Sequence, residues 1–446
     1  MSDSVDPTRD LAIAHRAHGD GDNPLHCVWE ITLACDLGCG HCGSRAGKAR
    51  PDELSTDEAL DVVDQLAALG LNEVSLIGGE AYLRDDWHII AAAITDRGMR
   101  CSMTTGARDL DQRRVDLAAE AGIKAISISI DGLERTHDVL RGARGAWQAA
   151  TDAARRVADS PIGLGVNTQI NRLTMPELPA LADLLVDLGA GAWQVQLTVP
   201  MGRAADRPQI LVQPYELLEL FPLLVWIKQT KLDPHKIQLQ PGNNIGYFGP
   251  YEHLLRPGGH RGAIWDGCKA GTRVLGLEAD GKIKGCPSLP STRFTGGNIR
   301  DAAIADVVEN ARELTSIGER DESDLWGYCG DCYYGDHCMA GCTWTSDAIM
   351  GRPGNNPYCI HRALRFDNEG LRERLIKVED APGVPFDTGR FDIVTEPRPD
   401  AAPELVDTIL GIPAEEVTAL PHDAESAWDL DHLRRAMRRG SNPRGD

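Results

Sequence analysis

The chain has 446 residues, 42% of them hydrophobic, which is enough for two or three domains that each bury a core. It carries 46 basic and 67 acidic residues, and the net charge of -21 disfavours both nucleic acid and anionic membranes as partners. Residues 1–26 lack the apolar core of a signal peptide, and no apolar run approaches the ~18 residues that span a bilayer, so we expect a cytoplasmic protein.

The twelve cysteines fall mainly into two groups. The cytosol keeps thiols reduced, which favours metal binding over disulfides for clustered cysteines. The early and late groups are Cys35, Cys39 and Cys42, then Cys268, Cys286, Cys329, Cys332, Cys338, Cys342 and Cys359. Cys27 and Cys101 lie in apolar runs, where we expect buried, inert thiols.

The early cysteines follow an apolar run that predicts a strand, and their spacing is C-x3-C-x2-C. Thiolates this close in a glycine-bearing loop can converge on one metal centre, and cysteine is the usual ligand of iron–sulfur clusters. Three protein ligands leave one iron of a four-iron cluster open to another molecule. A structural zinc site, with His41 as its fourth ligand, is the alternative.

Strand and helix patterns alternate from residue 27 to about 240. A capping box at Ser55 to Glu58 opens a helix. Further strands are predicted at 73–77, 100–104, 125–130, 163–170 and 192–197, and helices near 86–97, 111–121, 146–158 and 177–188. Such units build a full or partial barrel or an open sheet, and in each the site lies at the carboxyl ends of parallel strands.

The motif Gly78-Gly79-Glu80 comes directly after the predicted strand 73–77. Two glycines would let the backbone pass close to a ligand, and the carboxylate could accept hydrogen bonds from an ammonium group. A plain turn is the alternative, since paired glycines are common in turns.

A second motif runs from Ser127 through Ser129 and Asp131-Gly132 to His137 and Arg141. Arginine has a planar fork that pairs with a carboxylate through two hydrogen bonds. The alternatives are an ordinary surface charge on a helix for Arg141 and a polar residue at a helix start for His137.

Three later stretches keep open roles. Polar side chains interrupt two strands at 166–169 and 194–196, and they need either a ligand or each other as partners. Residues 213–230 predict an amphipathic helix, and the loop 241–251 is rich in turn residues and aromatics, so it could cover a site or connect two domains.

The late cysteines have an ordered spacing. Cys268 is followed by twelve residues, Gly281, four residues and Cys286, and then come C-x2-C-x5-C-x3-C from Cys329 to Cys342 and a single Cys359. A zinc knot formed by the four cysteines from 329 to 342 is the alternative to iron–sulfur binding.

These motifs together resemble the radical S-adenosylmethionine (SAM) enzymes that carry a C-terminal SPASM domain, in the peptide- and protein-maturing branch. The resemblance implies an α/β fold, a partial (β/α)6 barrel followed by a small cysteine-rich SPASM domain with two auxiliary Fe-S clusters. The expected divisions are an N-terminal extension, the radical SAM barrel, a connector, the SPASM domain, and a C-terminal helix and tail: 1–26, 27–240, 241–267, 268–362 and 363–446.

The resemblance also implies site residues. The SAM-binding [4Fe-4S] cluster would be held by Cys35, Cys39 and Cys42. SAM would be contacted by Gly78, Gly79, Glu80, Ser129 and Arg141, while Thr105 stands where relatives commonly carry Asn. The outer auxiliary [4Fe-4S] cluster would take Cys329, Cys332, Cys338 and Cys359, and the inner one Cys268, Cys286 and Cys342, without a fourth cysteine. No catalytic acid or base can be named.

The implied reaction is reductive cleavage of SAM to a 5'-deoxyadenosyl radical, followed by oxidative crosslinking or dehydrogenation of a ribosomally made peptide or protein. Oxidation or epimerisation of a small molecule is the alternative, and a non-catalytic zinc-binding module is a remote one. A flavodoxin or ferredoxin would supply electrons. Only 34 residues precede Cys35, too few for a leader-peptide recognition domain, so a separate leader-binding protein is a possible partner.

Overall fold

The computed structural model describes residues 26–256, 265 and 267–398. In this part of the chain the strands are β1 His26–Glu30, β2 Glu73–Ile77, β3 Arg100–Thr105, β4 Ala125–Ser129, β5 Gly163–Ile170, β6 Ala192–Leu197, β7 Gln238–Pro241, β8 Val274–Leu277, β9 Lys282–Lys284, β10 Thr295–Asn298, β11 Leu371–Glu379 and β12 Arg390–Pro397. The five strands predicted between 73 and 197 lie within one residue of their observed bounds, whereas β1 ends at Glu30, four residues before the end of the apolar run 27–34.

The α-helices include those predicted near 86–97, 111–121, 146–158 and 177–188, each within one residue of its expected bounds, together with others that the sequence analysis did not predict. They are α1 Thr56–Ala68, α2 Trp87–Asp96, α3 Gln112–Glu120, α4 Glu134–Arg141, α5 Ala146–Ala158, α6 Leu178–Asp187, α7 Leu217–Ile227, α8 Glu252–Leu255, α9 Ser291–Phe294, α10 Ile304–Asn310, α11 Arg312–Glu319, α12 Gly335–Cys338, α13 Thr343–Met350 and α14 Ile360–Asn368. The capping box at Ser55 is present, because its side chain accepts from the Glu58 N–H and Glu58 accepts from the Ser55 N–H.

Strands β1 to β7 are parallel and lie side by side in chain order, which is the arrangement that right-handed strand–helix–strand units produce. The sheet continues past β1 through β8, β9 and β10, and β10 and β7 are its two edges. The sheet is therefore open rather than a closed barrel, and the predicted α/β fold class is confirmed. Because β8 pairs with β1, the barrel and the late cysteine region share one sheet.

The main core lies between the sheet and its helices. Side chains such as Trp29, Ile90, Ile126 and Trp193 are almost completely buried in it. Full burial of a large apolar side chain contributes about 1.5–3 kcal/mol. This packing fixes the carboxyl ends of the strands, where both early motifs are located.

Two parts of the chain differ from expectation. The helix predicted at 213–230 appears as α7, but it is buried on most sides rather than amphipathic. The helical run Pro208–His235 is long and apolar enough to cross a membrane by length and composition, and 72% of its apolar window is buried inside the protein, as in a core helix. After α14, the antiparallel hairpin β11–β12 occupies residues where only a helix and tail were expected.

Candidate functional site

The early cysteine loop follows β1 and packs as a small apolar cluster. Cys35, Cys39 and Cys42 are free thiols that pack with Leu37 and Ala146. Two distant parts of the chain hold the loop backbone: Gly40 N–H donates to the Leu140 carbonyl at 2.7 Å, and the Arg203 guanidinium donates to the Cys39 carbonyl at 2.7 Å. The loop is therefore fixed without using its thiols.

The glycines after β2 permit a close approach to this loop. A Cβ on Gly79 would lie 2.2 Å from the Ala34 carbonyl oxygen, and one on Gly78 would lie 2.6 Å from the Thr32 oxygen, so neither position has room for a side chain. The Glu80 N–H then donates to the Ala34 carbonyl at 2.7 Å. The motif thus brings the Glu80 side chain to the cysteine loop.

Glu80 is a buried carboxylate with one oxygen in use. Its Oε2 accepts from the Gly106 N–H at 2.8 Å, and Thr105 also hydrogen-bonds to the carboxylate. Its Oε1 is buried and has no partner within the described residues. Burial raises the pKa of Glu80 to about 8. A buried acceptor without a partner fits an incoming ammonium or amine group.

A buried polar network lies on the other side of the loop. The Asp131 carboxylate, 0% exposed, lies 2.9 Å from His41 Nε2 and 2.5 Å from Arg141 Nη2. Burial alone would raise the pKa of Asp131, but Arg141 and His41 outweigh it and hold that pKa below its usual range. The Arg141 Nη1 atom lies 3.7 Å from Cys39 Sγ, while its Nε is buried without a partner within the described part of the chain.

The two other residues of this motif differ in their surroundings. His137 is completely buried and its Nδ1 accepts from the Asp131 N–H at 3.0 Å. Burial, reinforced by Arg141, lowers the pKa of His137 to about 3, so the ring is neutral. Ser129 ends β4 and is partly buried at the same edge of the sheet. His41, the fourth ligand in the zinc alternative, instead pairs with Asp131 through its Nε2 atom.

The late thiols of the outer set surround a cavity. It is lined by Cys329, Cys332, Cys338 and Cys359 together with the rings of Tyr247, Phe248, Tyr328, Tyr334 and His361. Phe248 and Tyr334 stack at 4.3 Å between ring centroids. Burial raises the pKa of Cys338 well above its usual value, and the neighbouring Cys359, Cys329 and Cys332 raise it further. All four thiols therefore face one another.

The inner set also converges. Burial raises the pKa of Cys286 to about 11 and that of Cys342 to about 12, and in both cases the next cause is the Cys268 thiol. Trp344 packs beside this set and its indole Nε1 lies 3.3 Å from Met201 Sδ. The Met201 side chain in turn approaches Gly43, next to Cys42.

Mononuclear metal binding is a poor match to this geometry. Four ligands about 2.3 Å from one zinc ion lie within about 4 Å of each other. In the part of the chain that the structure describes, no three His, Cys, Asp or Glu side chains form such a group. Cysteine thiols that line one cavity suit an iron–sulfur cluster.

Three residues of the site lie in stretches that the sequence analysis singled out, but their contacts were not predicted. Thr105 supports Glu80, Asp131 joins His41 to Arg141, and Tyr247 lies between the two late sets, where its hydroxyl accepts from the Cys342 N–H at 2.9 Å. An acid directly after a buried strand was the available signal for Asp131. The loop 241–251 packs Tyr247 into the protein, so this part of it has a supporting role.

Comparison with known proteins agrees with this geometry. The Radical SAM superfamily model matches residues 29–185. The AdoMet-dependent heme synthase of Methanosarcina barkeri is 31% identical to the chain over 76% of this chain and 97% of that protein. The chain therefore belongs to the radical SAM superfamily: it is an enzyme that uses a [4Fe-4S] cluster and SAM.

Two further relatives narrow the comparison. The mycofactocin maturase MftC of Mycobacterium ulcerans is 30% identical, with 76% of this chain and 88% of that protein aligned. The solved structure of SuiB from Streptococcus suis bound to S-adenosylmethionine superposes with a TM-score of 0.60 at 16% identity and covers 79% of each chain. The structural likeness shows that the two proteins share a fold.

Proposed function

We propose that the protein is a radical SAM/SPASM maturase that oxidatively crosslinks or dehydrogenates a ribosomally made peptide or protein. The observation that carries this proposal is the convergence of the late thiols in two buried places beside the radical SAM sheet. A net oxidation releases electrons, and extra iron–sulfur clusters can accept them. The similarity to a mycofactocin maturase supports a peptide substrate.

In this proposal Cys35, Cys39 and Cys42 hold the SAM-binding cluster. When bound, the reduced cluster and SAM supply a one-electron cleavage that makes an oxidant able to remove hydrogen from an unactivated carbon. The Glu80 Oε1 atom accepts a hydrogen bond from the amino group of SAM, and Gly78 and Gly79 allow the close approach.

The methionine carboxylate of SAM is assigned to Ser129 and Arg141. The Arg141 Nε–H is the buried donor that still lacks a partner within the described residues. Leu37 and Ala146 pack beside the thiols and shield them in part from water, most fully at Cys39. Water exclusion suits chemistry in which a reactive species must meet only the substrate.

The late cysteines are assigned to two auxiliary [4Fe-4S] clusters. The outer one takes Cys329, Cys332, Cys338 and Cys359, around the cavity that they line. The inner one takes Cys268, Cys286 and Cys342. Its fourth position is left to another side chain or to the substrate. Flavodoxin or ferredoxin as electron donor, a separate leader-binding protein, and a cytoplasmic location without membrane or nucleic-acid partners belong to the same proposal.

A small-molecule substrate is the second candidate, because the heme synthase of Methanosarcina barkeri is as similar in identity as the maturase and aligns over 97% of its length. A tetrapyrrole would then replace the peptide. The early site serves both candidates equally, since it acts on SAM. The two candidates differ in the substrate, peptide or tetrapyrrole, that would bind beside the late thiols.

The deciding experiment uses protein purified without oxygen, SAM, a reductant and one of two substrates. One is a candidate peptide from a short open reading frame beside the gene, and the other is an iron porphyrin. Loss of hydrogen from the peptide by mass spectrometry supports the proposal, whereas heme formation without a change in the peptide supports the second candidate. Zinc in place of iron and sulfide refutes both.

A further inference from the structure

The Asp131 carboxylate makes three contacts that join separate parts of the early site. Its Oδ2 lies 2.9 Å from His41 Nε2 and 2.5 Å from Arg141 Nη2, and its Oδ1 accepts from the Gln169 N–H at 2.8 Å. The partners come from the cysteine loop, from the end of α4 and from β5. All of the groups are buried, with exposures of 0% for Asp131, 4% for His41 and 8% for Arg141.

Burial of these charges has a cost unless each meets a partner. Arg141 divides its fork between two acceptors: Nη2 faces Asp131, and Nη1 lies 3.7 Å from Cys39 Sγ. Because the guanidinium is rigid and planar, holding one nitrogen fixes the direction of the other. Asp131 therefore sets where the guanidinium points.

The backbone around Arg141 is held equally closely. The carbonyl of Leu140 accepts from the Gly40 N–H at 2.7 Å, and a Cβ on Gly142 would lie 2.7 Å from the Gly38 carbonyl oxygen. Gly142 has a φ of 68°, which suits glycine. The C-terminal end of α4 thus lies directly against the cysteine loop. The positive charge of Arg141 at this end is paired with the Asp131 carboxylate.

Hydrogen bonds to the ligating sulfurs are one of the factors that set the reduction potential of an iron–sulfur cluster. We propose that Asp131 is a positioning residue: it holds the Arg141 guanidinium on the Cys39 sulfur and thereby raises the reduction potential of the SAM-binding cluster. The proposal rests on the assignment of Cys35, Cys39 and Cys42 to that cluster. A cation donating to the sulfur stabilises the more negative, reduced cluster.

The test is the midpoint potential of the SAM-responsive cluster, followed by electron paramagnetic resonance, in wild type, Asp131→Ala, Arg141→Met and the double variant. The sign separates two roles of Asp131. Loss of a negative charge alone would raise the potential, because the reduced cluster would be less repelled. Loss of positioning lowers the potential, because the guanidinium leaves the sulfur.

We expect Asp131→Ala and Arg141→Met each to lower the potential, and the double variant to match Asp131→Ala, since Asp131 acts through Arg141. A raised or unchanged potential in Asp131→Ala, or additive shifts in the double variant, would overturn the inference. If Asp131→Ala does not take up iron, Arg141→Met decides: an unchanged potential overturns the inference and a lowered one supports it.

Glu216→Ala is the matched control, because Glu216 is buried to the same degree and pairs with Arg172 at 2.9 Å away from the cysteine loop. It should leave the potential unchanged. A wild-type protein without a SAM-responsive iron–sulfur signal refutes the proposed function and the inference with it. If wild type shows the SAM-responsive signal and the variants keep its midpoint potential, the inference is refuted but the proposed function is not.

Discussion

The early cysteine loop lies among buried ionisable groups, whereas the late cysteines lie mainly among aromatic rings. Around the early loop, Glu80, Asp131 and Arg141 are all buried, and three of their polar atoms (Glu80 Oε1, Asp131 Oδ2 and Arg141 Nε) have no hydrogen-bond partner within the described residues. Around the late thiols, the side chains are mainly aromatic, and buried polar atoms without a hydrogen-bond partner within the described residues also occur there, at Asn356 Nδ2 and His337 Nε2. Unsatisfied buried polar atoms indicate recognition of a charged ligand, while an aromatic lining indicates enclosure.

Positive φ values at non-glycine residues occur in both regions: Arg45 (51°) and Ala107 (59°) lie beside the early site, and more lie near the late thiols. Near the late thiols four non-glycine residues have positive φ: Tyr247 97°, Phe248 56°, Met339 50° and Ala340 59°. Each such conformation costs about 1 kcal/mol or more and persists only where the surroundings enforce it. A bound cluster would provide that enforcement for the late region, while the early loop is held by hydrogen bonds to its backbone.

The largest expected effect is the loss of SAM cleavage, which should depend on the early cysteines. Replacing any of Cys35, Cys39 or Cys42 by Ala should reduce 5'-deoxyadenosine formation to background, because the cluster that activates SAM is lost. Chromatographic quantification of 5'-deoxyadenosine checks this. Cys101→Ala is the control, since that thiol is buried in the main core. If one of these three variants still cleaved SAM, the early loop would not hold the cluster that activates SAM.

Variants of the late cysteines should lose formation of the modified peptide but keep SAM cleavage. Cys338→Ala should lower iron by up to about four atoms per chain and abolish the modified product, while SAM cleavage continues. Iron analysis and mass spectrometry of the peptide test this on one sample. Unchanged iron content would show that the cavity lined by Cys338 does not hold a cluster.

Glu80→Gln tests the recognition assigned to the early region. A hydrogen bond to a charged group contributes about 1.5–3 kcal/mol, so the Kd for SAM should rise about 10- to 150-fold. Equilibrium binding of SAM to the loaded protein measures it. Glu177→Gln is the control, because Glu177 accepts from the Leu133 N–H at 2.7 Å and from Thr136 outside the loop. Equal affinities in wild type and Glu80→Gln would contradict the assignment.

Tyr247→Phe tests enclosure in the late region. The change leaves the buried Cys342 N–H without its partner and should lower the free energy of unfolding by about 1–3 kcal/mol. Tyr358→Phe is matched, because Tyr358 is equally buried and its hydroxyl donates to the Val212 carbonyl at 2.6 Å. Both variants should lose stability, but only Tyr247→Phe should alter the electron paramagnetic resonance spectrum of the late clusters. An identical spectral response in both would show that Tyr247 has no special relation to the late thiols.

The sequence predicted the parts of this comparison that depend on local pattern. Alternating strand and helix signals located the sheet, and the glycine pair located the close turn after β2 that precedes Glu80, because its steric requirement is local. The contacts of Asp131 with His41 and of Tyr247 with Cys342 join residues far apart in the chain and depend on the packed fold.

The C-terminal hairpin was missed for a related reason. Its inward-facing row includes the charged Glu373, which is buried only because Arg362 pairs with it at 2.6 Å. A buried charge in such a row hides the period of two that marks a strand. The partner lies on α14, so the sequence of the strand alone could not predict its burial.

The smallest expected effect concerns how the early region responds to pH. The pKa of Glu80 rises from 4.5 to about 8 through burial, so the folded protein holds a proton that the unfolded chain releases between these values. Stability from this group is complete below the unfolded pKa and is lost as the pH rises through the folded one, by up to about 1.4 kcal/mol per pH unit. Urea unfolding of SAM-free protein should show this slope in wild type and in Glu177→Gln but not in Glu80→Gln. Saturating SAM should flatten the wild-type slope, because an amine facing Oε1 favours the carboxylate. A slope that persists in Glu80→Gln would assign the titration to another group and leave the early region without its distinguishing buried acid.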